Sequence, residues 1–296
     1  MADSVIQDVS DTAFMVATYR ALETERPDAL FRDPFAAKLA GNHGQKIAAS
    51  MGQRAFFAKW FVAIRTRIID VFIEQAVAQG ADMVLNLGAG LDARPYRMDL
   101  PASLHWIEVD YPKIIDFKTE RLSGDTPRCR LERVALDLAD AAARQRLFAR
   151  IASQAENVLV LTEGVVPYLS PQEAGALADD LRARPAFRAW IVDYMSPDIR
   201  RYRRRTIERM RMENAPFRFD PQDYFAFFDA HGWRAKEIRY VAEEAVRLKR
   251  PLRLPFFFSL WVRLAAIFRG RRWREAFEKS VAYVRFEPGE PTPKQI

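Results

Sequence analysis

The sequence predicts an α/β protein built on a doubly wound, mostly parallel sheet, with an N-terminal helical extension and a helical insertion before the last strands. Three observations carry this expectation. The apolar run Val84-Leu85-Asn86-Leu87 passes straight into Gly88-Ala89-Gly90, as a buried strand does when it feeds a tight ligand-facing turn. Short apolar segments then alternate with intervals of helical periodicity, the pattern of parallel strands joined by crossover helices. Late in the chain, two further strand-like segments are separated by an insertion, which suggests a closing antiparallel strand at the sheet edge.

The elements follow in order. Over 11–23, Ala13, Phe14, Val16 and Ala17 form an apolar helical stripe, with Asp11 or Thr12 placed to cap it. Asp33-Pro34 predicts the start of a short helix, with proline at its favoured first position. Phe57, Trp60, Phe61, Ile64, Ile68, Val71, Phe72 and Val77 recur at helical intervals through 54–78, and Gly80 ends that helix. Strands are expected at 83–87, 104–109, 131–136, 158–162 and 189–194, separated by helices at 113–122, 141–153 and 171–183. Beyond Tyr194 come a basic helix, a helix start at Asp220-Pro221, a strand at 234–241, an apolar stretch and a last strand at 281–286. The expected organisation is a helical extension over 1–80 capping a cofactor site, a core over 81–296, and helical insertions at 197–232 and 242–279.

Composition narrows the function classes. The chain has 296 residues, 49% of them hydrophobic and 29% charged, enough to bury a large core. Its single cysteine, Cys129, excludes an internal disulfide and a cysteine-built zinc cage, and His43, His105 and His231 show no paired ligand spacing, so no metal is expected. The start of the chain carries Asp3 and Asp8 without an apolar run, unlike a secretion signal, and the expected location is the cytoplasm. The formal charge of +7 is concentrated, with Arg200, Arg201, Arg203, Arg204, Arg205, Arg209 and Arg211 facing only Glu208 locally. A solvated helix is the simplest reading of that run, and no spaced aromatics accompany it as in RNA-binding modules, so no nucleic-acid partner is expected. The segment 254–268, with Phe256, Phe257, Phe258, Leu260, Trp261 and Ile267, is interrupted by Pro255 and Arg263 and is too short to span a bilayer. Packing beside a cleft is its first reading, and weak membrane-surface association, aided by Arg269, Arg271, Arg272 and Arg274, is the second.

The glycine turn carries the chemistry. Gly88 and Gly90 remove side chains where backbone N–H groups must approach a ligand, and Asp110 follows Gly90 by twenty positions at the end of the next strand, placed to accept hydrogen bonds from a ribose diol. The motif alone admits a nicotinamide cofactor, because alanine is tolerated at its third glycine position, or S-adenosylmethionine. The long helical lead-in and the late antiparallel strand favour the second.

Taken together, Leu87-Gly88-Ala89-Gly90-Leu91-Asp92-Ala93-Arg94, Trp106-Ile107-Glu108-Val109-Asp110, Leu136-Asp137-Leu138 and the run Leu161-Thr162-Glu163-Gly164-Val165-Val166-Pro167-Tyr168-Leu169 resemble the leucine carboxyl methyltransferase family. The openings Ala17-Thr18-Tyr19-Arg20-Ala21-Leu22-Glu23 and Phe31-Arg32-Asp33-Pro34-Phe35, and Ile64-Arg65-Thr66-Arg67, are similar to its bacterial branch of S-adenosylmethionine-dependent methyltransferases. The resemblance implies a class I methyltransferase (Rossmann-like) fold, S-adenosylmethionine as cofactor, and a small-molecule methyl acceptor. It implies that Gly88 and Gly90 pass under the methionine portion and that Asp110 holds the ribose, with Glu108 as competitor. Asp137 and Leu138 would contact adenine, although Asp137 could equally cap the following helix. Glu163 would sit near the cofactor's ammonium or sulfonium, which would supply the positive partner a buried carboxylate requires. An arginine before the first strand would hold the methionine carboxylate: Arg65 first, Arg67 second, with Arg94 a third choice. Tyr168, or else Tyr19, could orient an acceptor oxygen. A nicotinamide-dependent oxidoreductase and a non-catalytic peripheral membrane protein are the competing classes, and the oligomeric state is left open.

Overall fold

Successive side chains of each strand point to opposite faces, and this chain supplies helices to both. The computed structural model describes residues 9–52, 54–201, 217–252, 275 and 278–290. Three helices lead, α1 (Val9–Thr24), α2 (Ala36–Ser50) and α3 (Arg54–Ala78). Next come β1 (Met83–Leu87), the short α4 (Arg94–Arg97), β2 (His105–Asp110), α5 (Pro112–Arg121), β3 (Arg130–Ala135), α6 (Ala141–Ala152) and β4 (Val158–Thr162). A 3-10 turn (Val166–Tyr168), α7 (Pro171–Arg182), β5 (Phe187–Met195), α8 (Tyr224–Ala230), β6 (Trp233–Tyr240), α9 (Val241–Arg247) and β7 (Val281–Pro288) complete the described elements.

The seven strands form one sheet in the order β3-β2-β1-β4-β5-β7-β6. Strands β1 to β5 are parallel, and β7 runs antiparallel to both β5 and β6. The expected antiparallel strand is therefore present, but it sits one place inside the edge. The burial patterns explain the order: Ala282, Tyr283, Val284 and Phe286 of β7 are buried, whereas much of β6 is solvent-facing. An edge position suits the more polar strand.

Met83, Leu85 and Leu87 of β1, with Val158 and Val160 of β4, pack beneath Phe148 of α6, Leu177 of α7 and Phe228 of α8. Val84, Trp106, Leu159, Leu161 and Ile191 face the other way, against Ile64, Ile68 and Phe72 of α3. A smaller cluster joins Ala17 of α1 and Leu39 of α2 to Leu91 and Ala93, just past the glycine turn. The N-terminal helices thus rest on the carboxyl end of β1, where open α/β sheets bind ligands.

Local signals were not always right in detail. Helix α2 starts at Ala36 rather than at the proline, because Ala36 N–H closes a turn onto the Asp33 carbonyl and the Asp33 side chain is drawn away by arginines. Helix α7 is capped reciprocally: Ser170 Oγ accepts from Glu173 N–H at 3.2 Å, and the Glu173 carboxylate accepts from Ser170 N–H at 2.7 Å. That cap holds the segment between the end of β4 and α7 in place. The expected insertion at 242–279 begins with α9 and that at 197–232 contains α8. The arginine run from Arg203 to Arg211 and the apolar segment 254–268, with the membrane-surface expectation attached to it, lie outside the described residues. No described helix is long and apolar enough to cross a membrane.

Candidate functional site

The glycine turn is held by its own amides. Gly88 and Ala89 N–H both donate to the Val109 carbonyl, at 2.8 and 3.1 Å, and Gly90 N–H donates to Asp110 Oδ2 at 2.7 Å. These bonds hold the turn in place. What the glycines provide is room and backbone freedom. Gly88 has φ +66°, and a Cβ there would lie 2.4 Å from Val165 Cγ2; Gly90 has φ +49° and faces Ala13 of α1.

Glu108 and Asp110 are two apart on β2 and share a face, so depth separates their roles. Glu108 is fully buried and saturated by Lys118 Nζ at 2.7 Å and Arg133 Nε at 3.0 Å. Asp110 lies at the carboxyl end of the strand, half-buried, with its second oxygen accepting from Tyr111 N–H at 2.7 Å. Burial raises its pKa, against the pull of the Gly90 and Tyr111 amides and Lys118.

The next strand end continues the line. Asp137 accepts from Ala139 N–H at 2.9 Å and from the Tyr111 hydroxyl, while Asp140, not Asp137, caps α6 through Ala143 N–H. Leu138 packs on the core, and its carbonyl accepts from Arg144 Nη1 at 2.5 Å. Tyr111 was not expected at the site. Its ring is 54% exposed between Asp110 and Asp137, and an aromatic directly after the strand-end acid was the signal available for it.

Glu163, immediately past β4, is held by Arg65 Nε at 2.8 Å and Arg94 Nη1 at 2.9 Å. Both of these positive partners come from the chain itself. Arg94 also binds Asp70 at 2.7 Å and Asp92 at 2.9 Å, and Asp92 accepts from Asn86 Nδ2 at 3.0 Å. From Asp70 the ion pairs run through Arg97 (2.6 Å), Asp33 (3.7 Å) and Arg20 (3.2 Å), and return to Asp92 (3.8 Å). Arg20 further donates to the Leu91 carbonyl, tying α1 to the turn. The result is a closed ring, Arg94-Asp70-Arg97-Asp33-Arg20-Asp92, with Glu163 and Arg65 as its arm: four arginines matched to four carboxylates. Burial opposes ionisation of Glu163, Asp70 and Asp92, yet the facing guanidiniums prevail and hold all three carboxyls below their ordinary range.

The three candidate arginines now differ clearly. Arg67 pairs with Glu74 at 2.8 Å on the outer face of α3. Arg94 is 1% exposed and engaged by three carboxylates. Arg65 is on the arm, at 13% side-chain exposure beside Glu163 at 15%. Tyr19 is buried with Ala48 and Val62 and offers an acceptor no surface. Tyr168, on the 3-10 turn, stacks on Phe217 with ring centroids 5.0 Å apart.

Gly88, Asp110, Asp137 and Glu163 thus come together at the carboxyl ends of β1, β2, β3 and β4, four adjacent strands. Among the described residues no group of His, Cys, Asp and Glu is arranged to hold a metal ion. Of the ring, only Arg94 is a site candidate from the sequence; Arg20, Asp33 and Asp92 lie within the motifs quoted above, and Asp70 is a lone charge in the apolar run 68–73 of α3.

Comparison with known proteins bears on the family and the fold. The family model described as "Leucine carboxyl methyltransferase" matches residues 13–182. A "Putative S-adenosyl-L-methionine-dependent methyltransferase" of Parafrankia sp. is 32% identical over 264 residues, covering 82% of each chain. One of the same description from Streptomyces avermitilis is 33% identical, covering 82% of this chain and 89% of its own. Among solved structures, a "putative methyltransferase" of Thermobifida fusca aligns with TM-score 0.54 and 13% identity over 97% of both chains, and a DUF574 family protein of S. avermitilis with TM-score 0.50 and 16% identity over 92% of this chain and 96% of that one. These last two speak for the class I methyltransferase fold. The nicotinamide and peripheral-membrane alternatives gain no support from any of them. With its motifs, its sheet order and its relatives in agreement over most of its length, the chain belongs to the leucine carboxyl methyltransferase family and is an S-adenosylmethionine-dependent methyltransferase.

Proposed function

We propose that this enzyme methylates an oxygen, a carboxylate or hydroxyl, of a small acidic or amphipathic metabolite. The observation that carries the reading is the convergence of the Gly88–Gly90 turn, Asp110, Asp137 and the Arg65–Glu163 pair at the ends of four adjacent parallel strands. These residues fit the cofactor in their chemistry: Asp110 keeps an ionisable carboxyl at the rim of the turn beside the exposed Tyr111 ring. S-adenosylmethionine supplies a methyl group on a positively charged sulfur.

In this reading the chain's residues bind and orient. Asp110 accepts from the ribose hydroxyls in charge-assisted hydrogen bonds, and Asp137 and Leu138 hold the adenine edge. Arg65 meets the methionine carboxylate, a choice supported by the engagement of Arg94 by three carboxylates and the outward pairing of Arg67. The helices of residues 1–80 act as the cap, α1 lying against Gly90 and Leu91. Methyl transfer is an in-line displacement, so alignment and exclusion of water are the main requirements. Tyr168, steadied by Phe217, positions the acceptor oxygen. A carboxylate acceptor needs no base, which accords with His105 lying at the amino end of β2 and His231 being held by Asp179 at 2.7 Å.

The test is methyl transfer from labelled donor to a panel of small carboxylic acids, alcohols and amines. The expected result is label on oxygen, released as methanol by mild alkali where the acceptor is a carboxylate. Transfer to nitrogen or sulfur alone would overturn the reading.

A further inference from the structure

The ring and its arm are charge-balanced, but a fifth carboxylate lies beside them. Thr162 pairs with Val192, so Glu163 and Asp193 stand next to each other one residue beyond the last β4–β5 pair. Asp193 is 6% exposed, and its Oδ2 accepts from Gly164 N–H at 2.8 Å. Tyr283, opposite Asp193 on β7, donates its hydroxyl to the same carboxyl, and Tyr224 of α8 donates to the Asp193 main-chain carbonyl at 2.7 Å. The charges facing it are Glu163 from the β4 end, which repels, and Arg65 from α3, which attracts and is shared with Glu163 at 2.8 Å. Among the described residues, Asp193 thus carries a charge that no arginine of the ring is left to match.

We propose that Asp193 is a specificity-determining residue that makes the site prefer the positively charged methyl donor over its neutral product. This rests on the cofactor placement proposed above. The donor and S-adenosylhomocysteine share the same ribose, base and amino-acid tail; they differ by one methyl group and the sulfonium charge. A buried unmatched carboxylate stabilises the first and contributes little to the second. The preference must then follow the ionisation of Asp193. Burial, reinforced by Glu163, pushes its pKa up to about 6, while the Gly164 amide, Arg65 and Tyr283 act the other way. Below that value the acid is neutral and the preference is small; above it the preference is full.

The experiment is calorimetric titration of the full chain with S-adenosylmethionine and with S-adenosylhomocysteine at pH 5 and pH 7 and at half-unit steps between them. In the wild type, the ratio of the product's Kd to the donor's should rise on the order of ten-fold between the two, the scale of one unit charge acting in a partly desolvated site. In Asp193→Asn, which keeps an acceptor for Gly164 N–H, the ratio should be the same at both values. Tyr283→Phe, a second and milder variant, removes the hydroxyl that favours the ionised form and should move the rise to higher pH. A flat ratio in the wild type, a rise that persists in Asp193→Asn, or an unmoved midpoint in Tyr283→Phe overturns the inference. Binding of both ligands with a flat ratio overturns it alone. Binding of neither overturns the donor placement, and this inference with it.

Discussion

The two ends of the same parallel strands use their charges differently. At the carboxyl ends, Arg94 and its partners are buried and interlocked, and beside them Asp193 is in no ion pair among the described residues. At the amino ends, Asp82 accepts from Glu156 and Asn157 N–H at 2.8 and 3.1 Å, and Glu132 pairs with Arg150 at 2.6 Å while partly exposed. A shallow hollow there, lined by Asp82, Met83, Ser103, His105, Arg130 and Gln154, is open to solvent. The amino-end charges finish loops, where water screens them and each contributes little. The carboxyl-end charges are desolvated, so each is costly alone and strong in company. One end is arranged for stability at low cost, and the other concentrates buried charge.

Breaking the ring should separate the two ends most sharply. Arg94→Ala leaves Asp70, Asp92 and Glu163 without their shared partner and should lower the unfolding free energy by about 3–5 kcal/mol, measured by urea denaturation. A loss under about 1 kcal/mol would show that the network is solvated and that the contrast fails.

The unmatched carboxylate gives a smaller effect of opposite sign. A folded pKa of about 6 lies above the unfolded value, so the ligand-free protein should lose stability as pH rises from about 4 through 6. Asp193→Asn should abolish that loss and stabilise the protein at pH 7 by roughly 2–3 kcal/mol. Thermal unfolding across that pH range checks both statements, and a slope identical in the two proteins would remove Asp193 as its cause.

Asp110→Ala should weaken S-adenosylhomocysteine binding by roughly 10- to 100-fold, the loss of charge-assisted hydrogen bonds to the ribose, and should also leave Gly90 N–H without its acceptor. Titration calorimetry reads the first effect. Retention of full affinity would move the ribose elsewhere.

The amino end should barely register. His105→Gln, at a buried side chain, should lower stability by about 1 kcal/mol and leave ligand affinity unaltered. Burial, with Arg130 nearby, holds the His105 pKa below its ordinary value, so its contribution is present above about 6.5 and is lost as pH falls below that. A marked loss of ligand affinity in His105→Gln would show that the two ends are coupled after all.

Much of the fold was legible because its signals are local. Helix α3 occupies the expected 54–78, and the five parallel strands fall within a residue or two of expectation, since apolar periodicity reports burial wherever the partner comes from. The position of β7 between β5 and β6 was not legible, because two late apolar strands can be ordered either way and only their packing environment chooses. At the site, Asp110 could be separated from Glu108 only by depth. Their spacing puts both on one face, but Lys118 from α5 and Arg133 from β3 consume Glu108.

The amino-acid order alone dictated the strand-turn-strand frame, with Gly88 and Gly90 at its turn, whereas the crowding of position 88 by Val165 exists only in the fold. It also placed acids at successive strand ends, because parallel strands of similar length bring their carboxyl ends together. Folding alone decided which charges neutralise which. Arg20, Asp33, Asp70 and Arg97 are scattered along the first hundred residues and look like ordinary surface charges until α1 and α3 pack over the turn. Electrostatic interaction in a desolvated interior depends on distance in space, and local spacing along the chain carries no record of that distance.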